Sequence, residues 1–222
     1  MAQRKFWLAS NSPRRREMLA WVDWELEASA ANIDESRHAE ESAREYVIRL
    51  AEEKAGYPIP EAGSDDVVIA ADTTVVLDEE ILGKPVDERE AFEMLSRLRA
   101  REHWVMTAIA VRSGATEHVY CDICRTCVQM REYTDEEIKQ YIASGDPMDK
   151  AGGYAIQSTT FHPVVNLNGC FASVMGMPLC HLERTLIKFS IYKPSGLALV
   201  CQNHLKYNCS ITDRVMSGED VG

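Results

Sequence analysis

Val67 to Pro85, VVIAADTTVVLDEEILGKP, is the stretch whose reading decides the fold. It opens as a continuous run of apolar, largely β-branched residues, the pattern of a strand buried on both faces. Asp72, Thr73 and Thr74 interrupt the run before Val75-Val76-Leu77 resumes it. An ionised carboxylate inside such a strand is costly unless a charge or a donor meets it. Lys84 follows, kept extended by Pro85, and offers the opposite charge. Two readings stand side by side. Either Asp72 belongs to a charged site built on this strand, or the stretch is a hairpin in which Asp72 only accepts backbone hydrogen bonds at a strand end.

Upstream, KFWLAS (5–10) reads as a short strand. Ser12 is a good N-cap, and Pro13 falls at the first helical position, where its missing N–H does no harm. Arg14, Arg15 and Arg16 then occupy the first turn, although the helix dipole disfavours cations there. Free backbone donors, Ser10 and Ser12 hydroxyls and several guanidiniums together suit an anion. For an isolated SPRRR the bland reading is a solvated basic turn; between a strand and a helix, phosphate binding is the better one. Trp24 to Ala28 reads as a second strand, leading to an acidic loop at Asp34 and Glu35. A helix follows from about Glu40 to Ala55, ended by Gly56. Its inward stripe runs Ala43, Tyr46, Val47, Leu50, Ala51, and Lys54 is next in register. That lysine either snorkels from the helix end or meets an anion inside; the Asp72 strand so close behind favours the second.

Downstream, Asp87 to Arg99 is amphipathic, with Ala91, Phe92, Leu95 and Leu98 inward. Trp104 to Arg112 and Val119 to Arg131 read as long strands joined at a Ser113-Gly114 turn. Thr134 with Glu137 is a capping box opening a helix to about Ser144. Gly145-Asp146-Pro147 breaks it, and a glycine-bearing loop runs from Asp149 to Tyr154. Ala155 to Gln157 and Val164 to Leu167 read as further strands, and Pro178 to Phe189 as a last helix. Mixed helices and strands indicate an α/β protein with a mixed sheet.

Composition narrows the function. The 222 residues, 45% hydrophobic and 27% charged, are those of a soluble globular chain with a sizeable core. A net charge of -11 argues against a nucleic-acid surface, though it leaves room for a small polyanion on a few local cations. No apolar run approaches a membrane span, and residues 1–10 do not resemble a signal peptide. Seven cysteines, an odd number, point to reduced thiols in the cytoplasm.

The motifs LASNSPRRREML (8–19), YVIRLAEEKA (46–55), AADTTVVLDEEILGKP (70–85), VMTAIAV (105–111), DKAGGYAIQ (149–157) and GMPL (176–179) stand in the order and spacing of the Maf family. The chain resembles these nucleoside triphosphate pyrophosphatases from about Phe6 to Phe189, and the DKAGGYAIQ version resembles the branch acting on dTTP and UTP. The resemblance implies a twisted mixed sheet with flanking helices, two lobes around a deep nucleotide cleft, and commonly a homodimer. It implies Asp72 as general base, with Asp72 and Glu35 holding a divalent cation, Mg2+ or Mn2+. It places Ser10, Arg14, Arg15, Lys54, Lys84 and Lys150 on the substrate, and associates Arg14, Thr73 and Gln157 with substrate choice. An ordinary carboxylate is a weak base, and metal coordination of the attacking water would remove that objection by lowering the water's pKa.

Two positions depart from the family. Ser158 stands where glycine is usual, and Met177 replaces a leucine. Residues 190–222 match nothing in it, which divides the chain into a domain at 1–189 and a C-terminal extension of unknown role. Alternation puts Cys121 and Cys127 on one strand face and Cys124 on the other, so a zinc or iron–sulfur site would need ligands from the extension, such as Cys201, His204 or Cys209. Buried, inert thiols are the simpler reading. The alternative to an enzyme is a nucleotide-binding regulator of cell division, but binding alone would not require a base.

Overall fold

The computed structural model describes residues 4–114, 118–191 and 196–221. In chain order the elements are β1 (Phe6–Leu8), α1 (Pro13–Ala20), β2 (Leu26–Ala28), α2 (Ala43–Gly56), β3 (Val67–Leu77), β4 (Glu80–Leu82), α3 (Glu88–Leu98), β5 (Glu102–Ser113), β6 (Val119–Met130), α4 (Asp135–Ala143), β7 (Val164–Asn168), α5 (Phe171–Met175), α6 (Leu179–Lys188), α7 (Leu197–Leu205) and α8 (Thr212–Met216). Two 3-10 turns, Asp146–Asp149 and Ala151–Gly153, lie between α4 and β7.

The strands form one mixed sheet in the order β2-β1-β3-β5-β6-β7, with β4 paired to β3 off this path. β1 runs parallel to β2 and β3, and the remaining pairs are antiparallel. β3 is central, as its two-sided apolar run requires. Its residues feed different cores. Ile69 and Ala71 join a cluster under α1 and α6, while Val68 and Ala70 join one under α2. Val75 and Leu77 join a third, with α3 and α4. Asp72, Thr73 and Thr74 fall at the changeover, so the polar interruption marks where the packing divides into two lobes.

Both readings of the 67–85 stretch hold in part. Asp78 and Glu79, at φ 50° and 67°, turn the chain so that β4 pairs back on β3. The hairpin is real, but Asp72 lies within the strand and away from that turn. α2 carries its inward stripe on Val47, Leu50, Ala51 and Lys54, and is opened by a Ser42–Glu45 capping box that the reading from Glu40 missed. The Thr134–Glu137 box opens α4 as expected. The turn between β5 and β6 lies partly outside the described residues.

One expectation needs correction. Ala155 to Gln157 is not a strand. Gly152 and Gly153, at φ 68° and 69°, curl the chain, and the Ala155 N–H donates to Tyr141 Oη instead of a ladder. A Cβ on Gly152 would sit 3.0 Å from Val75 Cγ1, so only glycine lets this turn lie against β3. The extension after Phe189, whose role the sequence leaves open, packs on the rest of the chain through its described residues. Leu197, Ala198, Cys201, Ile211 and Val215 are buried in the same cluster as β1, α1 and α6. α6 anchors them: Glu183 accepts from the Gly196 and Ala198 N–H groups, capping α7, and Arg184, paired at 2.8 Å with Asp122 on β6, also donates to the Val215 and Glu219 carbonyls. Removing it would bare that face.

Cys124 is buried, and Cys121 and Cys127 are half-buried; all seven cysteines are free thiols. Among the described residues no helix is long and apolar enough to cross a membrane.

Candidate active site

A cleft of about 750 Å³ opens at the changeover on β3. Its walls come from the β1–α1 turn, the loop after β2, α2, β3, the β4–α3 connection, the 149–154 turn and the end of α5. Arg14, Arg15, Lys54, Lys84 and Lys150 line it against Glu35, Asp72 and Asp149, an excess of two positive charges on a protein of net charge -11. That local reversal of sign is what a polyanion needs.

Lys54 is the hinge of the arrangement. The α2 stripe carries it inward until only 7% of its surface is exposed. Its Nζ meets Asp72 Oδ1 at 2.6 Å and Glu35 Oε1 at 2.7 Å. The inward reading of this lysine therefore holds, and the cost of Asp72 in the strand is offset by a charge-assisted hydrogen bond. Burial pushes the Glu35 carboxyl up, but the hydrogen bond from Lys54 and the charges of Lys54, Lys84 and Arg15 outweigh it and leave it below its ordinary value of 4.5.

Glu35 lies on a segment without regular structure, yet it is held. Tyr46 Oη donates to the Glu35 carbonyl at 2.9 Å, and Arg49 donates to the Ser36 carbonyl while pairing with Glu41. Tyr46 was legible only as a core residue of the α2 stripe, and its hold on the Glu35 carbonyl had no signal in the sequence.

On the opposite wall, the Ser12 hydroxyl accepts from the Arg15 N–H as the N-cap of α1. Arg15 is fastened on three sides, to the Gly176 carbonyl at 3.0 Å, Thr73 Oγ1 at 3.1 Å and Ser10 Oγ at 3.4 Å. Burial pulls its pKa down, with Asp72 opposing. Gly176, at φ 103°, is required here because a Cβ would press within 3.3 Å of Arg15 Nε and Thr73 Oγ1. The Gly176 carbonyl had no sequence signal beyond the glycine itself. Arg14 and Lys84 make no ion pair among the described residues, and Arg14 Nε is buried without a hydrogen-bond partner. Lys150, 6% exposed, pairs with Asp149 at 2.5 Å and Asp146 at 2.9 Å.

The cleft thus brings together Ser10, Arg14, Arg15, Glu35, Lys54, Asp72, Thr73, Lys84 and Lys150. It does not include Gln157, which sits behind Tyr154 in the chain with its Oε1 buried and unpartnered. No group of three or more His, Cys, Asp or Glu side chains among the described residues could by itself hold a metal. Two carboxylates converging on one cation do match magnesium, which commonly takes one or two carboxylates and completes its shell with waters and substrate phosphates.

Fold and site together define a mixed-sheet α/β protein with a cationic cleft around a buried carboxylate. Residues 5–189 match the family model described as Maf-like protein, and the chain belongs to that family. It is 42% identical over 184 residues to the dTTP/UTP pyrophosphatase of Escherichia coli O6:K15:H31, covering 83% of this chain and 92% of that protein. It is 39% identical over 182 residues to the dTTP/UTP pyrophosphatase of Dictyoglomus turgidum, covering 82% and 94%. Among solved structures, the Staphylococcus aureus Ham1 protein aligns at 12% identity and a TM-score of 0.40, over 72% of this chain and 80% of that one, too distant to carry an argument.

Proposed function

We propose that the cleft hydrolyses a pyrimidine nucleoside triphosphate, dTTP or UTP, to the monophosphate and pyrophosphate. The observation that carries this reading is the convergence of Asp72 and Glu35 on buried Lys54, facing unpaired cations in one cleft. The relatives' printed activities support the same substrate class.

In this reading Arg14, Arg15, Lys84, Lys150 and the Ser10 hydroxyl hold the triphosphate oxygens. Asp72, oriented by Lys54, accepts a proton from the water whose oxygen attacks the α-phosphorus. The α–β bridging bond breaks, and pyrophosphate leaves with its charge met by the cations on the wall. Glu35 and Asp72 would hold a divalent cation, Mg2+ or Mn2+, arriving with the phosphates, which when bound would lower the pKa of its water and draw charge from the phosphate oxygens. A site for binding alone, as in a division regulator, has no use for a buried carboxylate placed against the phosphates.

Gln157 reads the base in the same proposal. Its unpartnered buried Oε1 is an acceptor that the N3–H of uracil or thymine would satisfy, and this requires the 154–157 segment to turn towards the cleft. The protein is further proposed to work as a homodimer in the cytoplasm, without nucleic-acid or membrane partners. Free thiols and the acidic net charge support the compartment and the absence of a nucleic-acid partner. A panel of nucleotides with magnesium, products separated by charge, tests the function. Faster release of pyrophosphate from dTTP and UTP than from ATP and GTP is expected. Orthophosphate as the product, or no turnover of any nucleotide, would sink it.

A further inference from the structure

Thr107 lies directly opposite Thr73 in the β3–β5 ladder. It is fully buried and takes no part in lining the cleft. Its hydroxyl has one proton, and that proton goes to the Ser173 carbonyl at 2.7 Å, an oxygen that can only accept. The same carbonyl accepts from the Gly176 N–H at 2.9 Å, and the Ser173 hydroxyl bonds Thr126 Oγ1 at 2.8 Å, so the acceptor is held from both sides. Thr73 Oγ1 sits 3.0 Å from Thr107 Oγ1. With the Thr107 proton committed, Thr107 must accept in that contact and Thr73 must donate. Arg15 Nη2 meanwhile donates to Thr73 Oγ1. A threonine hydroxyl has one proton and two lone pairs. The proton and one lone pair of Thr73 are therefore used within the protein, and one lone pair remains on a residue that lines the cleft.

We propose that Thr107 is a positioning residue that locks Thr73 as an acceptor-only group, so that this point of the cleft selects a substrate edge bearing a neutral N–H or O–H. The inference rests on the nucleotide reading of the cleft and adds a polarity to it. A phosphate oxygen, or any other acceptor, meets a lone pair at Thr73 and is turned away from that point. On dTTP or UTP such a donor is either a sugar hydroxyl or the N3–H of the base, where cytosine has an acceptor, which Thr73 would then take in place of Gln157.

The test uses the full-length chain with Thr107→Val, which keeps the β-branched shape and removes the hydroxyl, and Thr107→Ser, which keeps the hydroxyl. Melting temperature and kcat/KM are measured on UTP, CTP and 3′-deoxy-UTP. In Thr107→Val the Thr73 proton is released and can turn to the cleft. The preference for UTP should then shrink about tenfold, roughly what one hydrogen bond is worth. Shrinkage against CTP assigns the donor to the base, and shrinkage against 3′-deoxy-UTP assigns it to the sugar. Thr107→Ser should keep the wild-type ratios. The lock is overturned if Thr107→Val hydrolyses UTP with both ratios unchanged, or if Thr107→Ser alters them as much as Thr107→Val does. Should the wild type hydrolyse none of the three, the function fails on its own account. Calorimetric Kd ratios for the same nucleotides then decide the lock: altered ratios in Thr107→Val support it, while unchanged ratios or no binding reject it.

Discussion

Two of the three lysines that line the cleft are nearly buried, each holding two carboxylates, and they are built in opposite ways. Lys54, on α2, gathers Asp72 from the middle of a strand and Glu35 from an irregular segment. Lys150 takes Asp149 beside it and Asp146 one turn back, both substantially solvated, at 60% and 41% side-chain exposure. Asp72 keeps only 11%. The first cluster is made by tertiary packing and seals a charge in the sheet. The second is a local turn whose acids stay in water. Equal numbers of ion pairs thus carry unequal weight, because the cost of losing a partner depends on whether the carboxylate left behind can be hydrated.

Removing each lysine breaks the comparison most directly. Lys54→Met should lower the unfolding free energy by about 3 kcal/mol, since it strands Asp72 next to Glu35 without a cation. Chemical denaturation would measure it, and a loss no greater than for Lys150→Met would show the two clusters to be equivalent. Asp72→Asn keeps the shape of the Lys54 cluster and removes the proposed base. Turnover should fall about 100-fold or more, in the range for general-base removal. Near-normal turnover with saturating magnesium would move the catalytic role elsewhere.

Lys150→Met should cost at most about 1 kcal/mol of stability, because Asp146 and Asp149 re-solvate. Its effect belongs in KM for the triphosphate, with kcat within about threefold of wild type, as for a group that binds ground and transition states alike. A collapse of kcat at unchanged KM would place Lys150 in the chemistry. The smallest effect concerns acid. The Glu35 carboxyl is held below its ordinary 4.5 in the folded protein, so its contribution is complete above that value and is lost as pH falls through the folded value. Glu35 is half-exposed, and the contribution should stay under about 1 kcal/mol. Glu35→Gln should therefore lower the melting temperature slightly near neutrality and flatten its fall below about pH 4.5, so that the two proteins converge in acid. An unchanged acid limb would mean that the Lys54–Glu35 pair adds nothing to stability.

Periodicity and punctuation sufficed for most of the framework. The two-sided apolar run of β3, the Ser12-Pro13 start of α1, the stripe of α2 and the Thr134–Glu137 box are local patterns, and each specified its element. Asp72 and Lys54 were legible as a pair because each violates a buried pattern, and two violations of opposite charge can cancel. Ala155 to Gln157 failed for a local reason of another kind: three residues are too few for alternation to outweigh two glycines at positive φ just upstream.

The rest was decided only by the tertiary structure. Whether an apolar tail is spare or structural depends on the face it meets, and that face is assembled from β1, α1 and α6. The grip of Tyr46 on the Glu35 carbonyl, the three-sided hold on Arg15 and the direction of the Thr73 proton join residues far apart in the chain. No period or spacing encodes such contacts. The sequence determined which residues are charged, apolar or able to cap, because those properties act over a turn or a strand. Hydrogen-bond polarity and the division of the core arise from the meeting of distant segments, and folding alone brings those segments together.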